Sequence, residues 1–354
     1  MLDRIALYCA LLSCGCAVGW MYLVATFDYG GNWTAFYRTG SNVHLPPSAA
    51  QENLVLSQGG GYDGQYYRLI AQDPLMLHGT ERFIDGPRLR YRRILVPAMA
   101  HVFGTYVGVV ILFLGLGTYW LSCYAAAIGQ SPWWGLAFIL APAAFLSIDR
   151  LTVDIALAAL TVAFALYGKT GSPWKLYLVL IFAPLAKETG FLFLAAFVIC
   201  ERRWSRAAVM ATAGIPAAIW FLYVQRHTSA DATAWIQWPF SAVIEAMRHP
   251  GSHSFVVLLD YLAWIGLLLA IFFALARWRK DDPLSRAALM FALLAAVIDL
   301  NVWQEVEGFG RAFTPLLLLL PLAWPMRWQL LPLALILPRA LVFPLSETLK
   351  VFAH

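Results

Sequence analysis

Residues 176–200 read LYLVLIFAPLAKETGFLFLAAFVIC, and this apolar stretch decides how the chain crosses a membrane. It is long enough for one span, but Lys187 and Glu188 lie near its middle, where a charge is costly unless it faces a cavity or a partner. One span would place the basic loops ERRWSR (201–206) and RWRKDDPLSR (277–286) outside, against the positive-inside rule. We therefore predict a hairpin of two short helices, each of about 11 residues or about 16 Å, with Lys187 and Glu188 at its tip.

The composition is that of an integral membrane protein, because 61% of the 354 residues are hydrophobic and only 13% are charged. The net charge of +5 fits basic cytoplasmic loops better than nucleic-acid binding. The five cysteines lie in or beside apolar segments without zinc spacing, so we expect neither a disulfide framework nor a zinc site. We predict an all-α, polytopic transmembrane helical bundle with about ten or eleven membrane helices, including short half-spanning hairpin helices, in one transmembrane domain over residues 1–354.

Apolar runs and polar loops divide the chain further. A first extracytoplasmic loop over 27–104 is predicted to carry short interfacial helices at 65–71 and 92–103, and a second such loop covers 226–254. Beside the hairpin, the predicted membrane helices lie at 5–26, 105–127, 132–147, 151–167, 207–224, 255–277, 287–301, 309–324 and 330–345. This topology gathers charged residues on one side of the membrane, namely Asp63, Asp149, Asp154, Lys187, Glu188, Arg226, His227, Glu305, Glu307 and Arg311. Charge gathered at one face of a membrane protein indicates a site there.

The first loop contains the most polar stretch of the chain, GYDGQYYRLIAQDPLMLHGTERFIDGPRLRYRRILVP (61–97). Gly61 and Gly64 bracket Asp63, so the backbone can turn tightly there and present the carboxylate. Tyrosine rings stack on sugar faces, and arginines bind phosphate through their planar guanidinium groups. A solvated Asp-Gly turn is the simpler alternative for any one residue, but a long loop in a membrane protein favours a functional site.

Three positions stand out as chemical candidates. Asp63 could accept the proton of an attacking hydroxyl, or orient that hydroxyl. Lys187 could neutralise a lipid phosphate at headgroup depth, although an internal ion pair with Glu188 or Asp154 is the alternative. Arg311 begins a span and could hold a second phosphate oxygen, or its side chain could reach along the helix to the interface.

Two further acids, Asp149 and Asp154, flank a short turn and could hold a metal ion. Two carboxylates alone specify no metal, and helix capping or pairing with Arg150 explains them equally well. The sequence contains no phosphate-cradling glycine loop and no dinucleotide fingerprint, so a nucleotide-driven mechanism has no support.

Five blocks of the sequence resemble the GT-C superfamily of polytopic glycosyltransferases, which use polyprenyl-phosphate-linked sugars. The blocks are GYDGQYYRLIAQDP (61–74), RYRRILVPAMA (90–100), LTVDIALAALTVAFALY (151–167), LAKETGFLFLAAFVI (185–199) and EGFGRAFTPLLLLLP (307–321). YDGQYY is similar to the Trp-Asp-Gly type of loop motif in some members, and LAKETG is similar to a recurring Leu-(Thr/Ser)-Lys-x-(Thr/Gly) hairpin segment. The first and fourth blocks are the more specific ones.

The resemblance implies that Asp63 is catalytic, since these enzymes use an acidic residue of the first outside loop. It likewise implies that the donor phosphate is bound by Lys187, Arg311 and Arg93. We expect sugar or acceptor contacts from Tyr62, Gln65, Tyr66, Tyr67, Asp154, Glu188 and Glu305. The loop lacks the adjacent Asp-Glu pair of several members, so a divalent cation, Mg²⁺ or Mn²⁺, is the one cofactor left open, and the acceptor stays open as well.

The function that these features predict is inverting glycosyl transfer from a polyprenyl-phosphate donor to a glycan, lipid or protein acceptor. The expected location is the bacterial inner (plasma) membrane, which the chain crosses several times, with the site facing the periplasm or exterior. A transporter or flippase of a lipid-linked saccharide is the alternative, because arginine, lysine and aromatic groups would bind the headgroup without chemistry. An assembly subunit without an active site is the third hypothesis.

Overall fold

The computed structural model describes residues 2–229, 236–249, 254–304 and 306–351, and nearly all of its regular structure is helical. This confirms the all-α class that the composition predicts. The helices of the first part are α1 (Leu2–Tyr29), α2 (Pro47–Ala50), α3 (Asp63–Gln72), α4 (Pro87–Arg92), α5 (Leu95–Phe103), α6 (Tyr106–Ala127), α7 (Pro142–Arg150), α8 (Asp154–Thr170), α9 (Pro173–Ala186) and α10 (Phe191–Cys200).

The second part of the chain is built in the same way. Its helices are α11 (Trp204–Ala211), α12 (Ile215–His227), α13 (Ser241–Arg248), α14 (Ser254–Ala276), α15 (Pro283–Val297), α16 (Leu300–Trp303), α17 (Val306–Ala312), α18 (Thr314–Ala323), α19 (Leu331–Ala340) and α20 (Val342–Val351). Short 3-10 helices occur at Trp33–Tyr37, Thr80–Phe83, Pro132–Leu140, Glu188–Gly190, Thr212–Gly214 and Arg327–Leu330. Two short strands, β1 (Thr39–Gly40) and β2 (Leu56–Ser57), pair in parallel.

Four helical segments of the described residues are long and apolar enough to cross a membrane. They cover Asp3–Tyr29, Tyr106–Ala127, Trp204–His227 and Phe255–Ala276. A fifth span results if Pro132–Leu140 and Pro142–Arg150, which meet at 55°, are counted as one bent span. Shorter apolar helices, among them α9, α10, α15 and α18, pack between these long segments. The fold is therefore that of a membrane-embedded helical bundle.

The bundle has two ends, and the basic loops lie together at one of them, which we call the far end. Arg202 meets Asp281 at 3.2 Å, and the Cys200 thiol donates to the Lys280 carbonyl oxygen at 3.6 Å. The loops 201–206 and 277–286 therefore lie side by side, which the single-span and the hairpin topologies both predict. The opposite end, which we call the site end, holds the loop between α1 and α6.

The helical hairpin of α9 and α10 reverses the chain at the site end. Lys187 ends α9 because its backbone is extended, with φ −160° and ψ 142°. Gly190 then packs so tightly on α9 that a Cβ there would collide with the backbone carbonyl of Ala183. Only glycine has room at this point, so the sequence Lys-Glu-Thr-Gly breaks the apolar run and turns the chain back.

A second sharp turn joins α7 to α8 at the same end. Leu151 ends α7 with φ 46°, a left-handed conformation that is rare for a branched side chain. The Ser147 hydroxyl accepts a hydrogen bond from the backbone N–H of Ile155 at 3.2 Å, which stabilises the start of α8. The same hydroxyl lies 2.9 Å from the hydroxyl of Thr152. The turn brings the end of α7 and the start of α8 together.

The two predicted outside loops contain more helix than the hydropathy pattern indicates. The first carries α2 to α5, of which α3 begins two residues before the predicted 65–71 and α5 begins three residues after the predicted start at 92. In the second, α12 continues to His227 and α13 forms a separate short helix. Residues 230–235 and 250–253 of this loop lie outside the described residues.

Candidate functional site

Asp63 occupies the first turn of α3, in the first loop. A carboxylate at this position is favoured by the partial positive charge of a helix N-terminus. The next residue, Gly64, packs against the end of α7, where a Cβ would collide with the carbonyl oxygen of Arg150. The glycine therefore allows α3 to approach α7 closely and fixes Asp63 near the residues at the end of that helix.

Two guanidinium groups hold the Asp63 carboxylate. Arg90 donates from Nη1 to Oδ1 at 2.7 Å, and Arg311 donates from Nη2 to Oδ2. Burial raises the pKa of the Asp63 carboxyl, but the positive charges of Arg311 and Arg90 outweigh burial, so this pKa lies well below its usual range. Asp63 is therefore ionised at physiological pH and, in this arrangement, is a weak proton acceptor.

Asp154 and Lys187 form a buried ion pair between the start of α8 and the end of α9. Lys187 donates from Nζ to Oδ1 of Asp154 at 2.5 Å, and the two side chains are only 8% and 2% exposed. Arg311 reaches the other oxygen, Oδ2, at 3.4 Å and so bridges Asp154 and Asp63. The ion pair with Asp154 was one of the alternatives for Lys187, and the structure contains it.

Glu188 is held by Arg93, which the resemblance assigned to the donor phosphate. Arg93 makes a bidentate contact, from Nε to Oε2 at 3.0 Å and from Nη2 to Oε1 at 2.7 Å. Its third donor, Nη1, binds the Tyr67 hydroxyl at 3.2 Å. The hairpin tip is therefore joined to the first loop through a planar, two-point contact, which is the strongest form of such a pair.

Asp149 forms a second acid–arginine group at the end of α7. Arg38 donates from Nη2 to Oδ1 at 2.9 Å, and Arg150 donates from Nε to Oδ2 at 3.1 Å. Arg38 also donates to the Tyr29 hydroxyl at 2.9 Å, which ties the end of α1 to this group. Pairing of Asp149 with Arg150, which the sequence left open, is thus observed.

The Tyr62 ring lies between the Asp149 group and the group around Asp63. The guanidinium carbon of Arg150 lies 4.3 Å from the ring centroid, and that of Arg311 lies 4.9 Å from it. Both distances are within the range of cation–π attraction. The ring predicted to contact sugar therefore lies against two guanidinium groups, one from each acid–arginine group.

The other predicted sugar-binding residues support the loop around Asp63. Arg90 lies over the Tyr66 ring at 4.4 Å, and the Tyr67 ring is fully buried. The Gln65 side chain accepts from the Gly40 backbone N–H at 3.0 Å and donates to the Gly60 carbonyl oxygen at 2.8 Å. The amide of Gln65 is therefore engaged by the backbone of the loop, and the sugar contacts of these residues stay predictions.

Ten mostly buried charged side chains of the described residues thus lie together at the site end, and we call them the charged cluster. Salt bridges join them in three sets, and the side chains of Tyr62 and Tyr67 lie between these sets. Its members are Arg38, Asp63, Arg90, Arg93, Asp149, Arg150, Asp154, Lys187, Glu188 and Arg311. Among the described residues the charged cluster contains five arginines, one lysine and four acids, with Asp85 left out because its side chain is 76% exposed. Guanidinium groups are suited to anions, and to phosphate in particular.

The charged cluster does not fit a divalent cation. Asp63 is held by two arginines, and Asp154 by a lysine and an arginine, so both acids face positive charge. Among the described residues, no three His, Cys, Asp or Glu side chains are grouped so that they could hold a metal ion. The described members of the charged cluster therefore offer no ligand set for the Mg²⁺ or Mn²⁺ that the sequence left open.

The structure thus brings together most of the residues that the sequence singles out, and it adds three. Arg38, Arg90 and Arg150 belong to the charged cluster but were not predicted as site residues. Arg90 could have been predicted as a site residue from the sequence, because it lies three residues before Arg93 and therefore on the same side of a helix. Glu305, predicted to contact sugar or acceptor, lies outside the described residues.

Comparison of the chain with models of known families, with curated proteins and with solved structures gives no match. The charged cluster and its surroundings are therefore the basis for assigning a function to the chain.

Proposed function

We propose that the chain is an inverting glycosyltransferase that moves a sugar from a polyprenyl phosphate to an acceptor hydroxyl. The observation that supports this most is the position of Asp63, a candidate base, whose carboxylate is held by Arg90 and Arg311 beside the buried pair of Lys187 and Asp154. A sugar phosphate diester brings one negative charge, and its leaving group gains a second during transfer. Stabilising a charge that develops in the transition state is the largest catalytic effect available to such a site.

In the proposed reaction, the acceptor oxygen forms a bond to the anomeric carbon while the bond from that carbon to the phosphate oxygen breaks. The electron pair of the broken bond leaves with the polyprenyl phosphate, which Arg311, Lys187 and Arg93 neutralise. The proton of the acceptor hydroxyl passes to Asp63. Attack from the face opposite the leaving group inverts the anomeric configuration.

The ion pairs of Asp63 give this mechanism an order of events. As long as Arg311 and Arg90 hold the carboxylate, its low pKa makes it a weak base. Donor phosphate competes with Asp63 for the Arg311 guanidinium group. Once Arg311 binds phosphate, Asp63 loses one positive neighbour, its pKa rises, and its oxygen becomes a better proton acceptor. Donor binding thereby activates the base.

The proposed topology places the charged cluster at the extracytoplasmic face of the bacterial inner membrane. The supporting observation is that the basic loops meet at the far end, which the positive-inside rule assigns to the cytoplasm. In this topology α8, α9, α10, α15, α18 and α19 add to the four long segments and the bent span, so that about ten or eleven helices lie in the membrane. The two helices of the hairpin each reach only part of the way across.

The test is turnover of lipid-linked sugar by purified protein in liposomes, scored as release of free polyprenyl phosphate from a panel of donors. We expect the wild type to release it and Asp63→Asn to lose at least about 100-fold in rate, the usual scale for a general base. Asp281→Asn is the control, because it removes an exposed carboxylate at the far end, away from the charged cluster. Equal rates for Asp63→Asn and wild type would remove Asp63 from the chemistry.

A binding or flipping protein is the second candidate, and one observation favours it. The only carboxylate proposed as base is occupied by two arginines, as in a site that binds charge without reacting. This candidate predicts that donor binds to the wild type and to Asp63→Asn without release of polyprenyl phosphate from either. A flipping assay with a fluorescent lipid-linked saccharide would then replace the turnover assay.

A further inference from the structure

Three loops at the far end each carry a tryptophan next to an arginine. They contain Arg203–Trp204 at the start of α11, Trp278–Arg279 after α14, and Arg327–Trp328 between α18 and α19. Trp204 is 88% exposed, Trp328 is 70% exposed and Trp278 is 45% exposed. Three large rings are therefore turned outward at this end of the bundle.

Two of these tryptophans lie at the ends of segments that can cross a membrane. Trp204 is the first residue of the segment Trp204–His227, and Trp278 follows the end of Phe255–Ala276 by two residues. Tryptophan is enriched where a bilayer meets water, because its ring is amphipathic. The ends of these segments and the loops beside them therefore lie at the depth of the lipid headgroups.

Side-chain contacts join the three loops. Arg286 donates from Nε to the Cys200 sulfur at 3.1 Å, and the loop 277–286 therefore lies beside 201–206 on one side. On the other side, Arg277 donates from Nη1 to the Met326 sulfur at 2.9 Å, so the same loop also touches 325–330. We call the three loops together, 201–206, 277–286 and 325–330, the basic surface.

The basic surface contains eight arginine and lysine residues and three acids, and all three acids are engaged. Asp281 pairs with Arg202 at 3.2 Å and Glu201 pairs with Arg206 at 3.3 Å. Asp282 caps α15 by accepting from the first backbone N–H groups of that helix. Among the described residues, six basic side chains of this surface form no salt bridge, namely Arg203, Arg277, Arg279, Lys280, Arg286 and Arg327.

We propose that the basic surface binds the anionic headgroups of glycerophospholipids, of which phosphatidylglycerol is the representative. Arginine suits a phosphodiester because its planar group donates two parallel hydrogen bonds, and basic residues beside a membrane are attracted to anionic lipid. The headgroup depth of the loops favours lipid over a soluble acidic partner. This inference concerns the end of the bundle opposite the charged cluster and goes beyond the proposed function.

The test is thermal unfolding of purified protein in phosphatidylcholine nanodiscs in which an increasing fraction of the lipid is phosphatidylglycerol. The unfolding temperature of the wild type should rise with that fraction and level off, because a ligand that binds the folded protein stabilises it. A triple variant, Arg203→Gln with Arg279→Gln and Arg327→Gln, removes one charge from each loop. It should lose most of this rise, since each basic residue near an anionic surface strengthens binding roughly fivefold. An equal rise for both proteins would overturn the inference.

A matched control removes three exposed charges at the site end, by Arg82→Gln with Arg226→Gln and Arg248→Gln. This variant should respond to phosphatidylglycerol as the wild type does. Equal losses in the two triple variants would show that only the net charge of the protein matters, and would overturn the assignment to the basic surface.

A charge-preserving variant separates headgroup binding from a structural role of the loops. Lysine at positions 203, 279 and 327 keeps the three charges and should retain most of the response to phosphatidylglycerol. In pure phosphatidylcholine both triple variants of the basic surface should unfold at the wild-type temperature, because the replaced side chains form no salt bridge among the described residues. Loss of the response in the lysine variant as well would assign the effect to the fold of the loops and overturn the inference.

Salt provides an independent readout. Raising the ionic strength from 0.1 M to 1 M shortens the screening length from about 10 Å to about 3 Å, so the rise produced by phosphatidylglycerol should shrink in the wild type. A rise of the same size at 1 M salt would show that the lipid acts through apolar contacts, which would overturn the headgroup assignment.

A soluble acidic protein is the other kind of partner that a positive surface can attract. The probe for it is polyglutamate, added to the protein in pure phosphatidylcholine nanodiscs. Stabilisation by polyglutamate without stabilisation by phosphatidylglycerol would overturn the lipid assignment. Neither probe contains sugar or reaches the charged cluster through the membrane, so either result leaves the proposed transferase to its own test.

Discussion

The two ends of the bundle both hold ion pairs, but in different surroundings. At the site end, the side chains of Lys187 and Asp154 are 8% and 2% exposed, whereas at the far end those of Arg202 and Asp281 are 80% and 65% exposed. Water stabilises each far-end charge almost as well as its partner does. A buried charge has no such substitute, so each member of the site-end pair depends on the other. The same chemical contact therefore has a structural role at one end and almost none at the other.

The largest expected effect comes from breaking the buried pair. Lys187→Met leaves the Asp154 carboxylate with only the longer contact to Arg311, and we expect the free energy of unfolding to fall by about 3–5 kcal/mol. The measurement is denaturant unfolding in detergent, followed by tryptophan fluorescence.

The matched double variant sharpens this test. Lys187→Met combined with Asp154→Leu removes both charges and should recover most of the lost stability, because no buried carboxylate is left unpaired and Arg311 keeps Asp63. A double variant as unstable as Lys187→Met would mean that packing, and not charge, explains the loss.

An intermediate effect on the free energy of unfolding is expected at low pH, where Asp63 becomes protonated. Its folded-state pKa lies below that of an unfolded aspartate, about 3.9, so its contribution to stability is complete above that pH and is lost as pH falls through the folded value. Below about pH 4, the stability of the wild type should therefore decrease more steeply with pH than that of Asp63→Asn. Unfolding free energies at pH 7, 5 and 3 measure this difference, and parallel curves for the two proteins would contradict it.

The smallest effect is expected at the far end. Arg202→Ala breaks the exposed pair with Asp281, and we expect the free energy of unfolding to change by less than about 1 kcal/mol. The same denaturant experiment serves as the check. A loss comparable to that of Lys187→Met would remove the distinction between the two ends.

The sequence predicted the secondary structure and topology of the chain better than it predicted the contacts between side chains. The all-α class, the break at Lys187 and the start of α6 follow from apolar runs and from the cost of charge in a membrane, both of which are local properties. The positive-inside rule then places Asp63, Asp154, Lys187, Glu188 and Arg311 at one end, and the structure confirms that they meet there.

The sequence left open two of the pairings, Asp149 with Arg150 and Lys187 with Asp154, but it did not predict the others, because those partners are far apart along the chain. Arg38 and Asp149 are 111 residues apart, and nothing in the segment around Arg38 marks it as a site residue. Lys187 could have paired with neighbouring Glu188, but the extended backbone that ends α9 directs it to Asp154 instead. Such choices depend on how helices pack, which short sequence patterns do not record.

The Gln65 amide bridges Gly40 and Gly60, and this contact restrains the first loop near the charged cluster. Together with the hydrogen bond from the Tyr62 N–H to the Arg38 carbonyl oxygen at 2.9 Å, it braces the segment that holds Arg38 against the start of α3. Asp63 and Arg38 are therefore carried on one stiff piece of chain. We therefore expect a ligand that displaces Asp63 to shift Arg38 as well, so that occupancy at one end of the charged cluster is felt at the other.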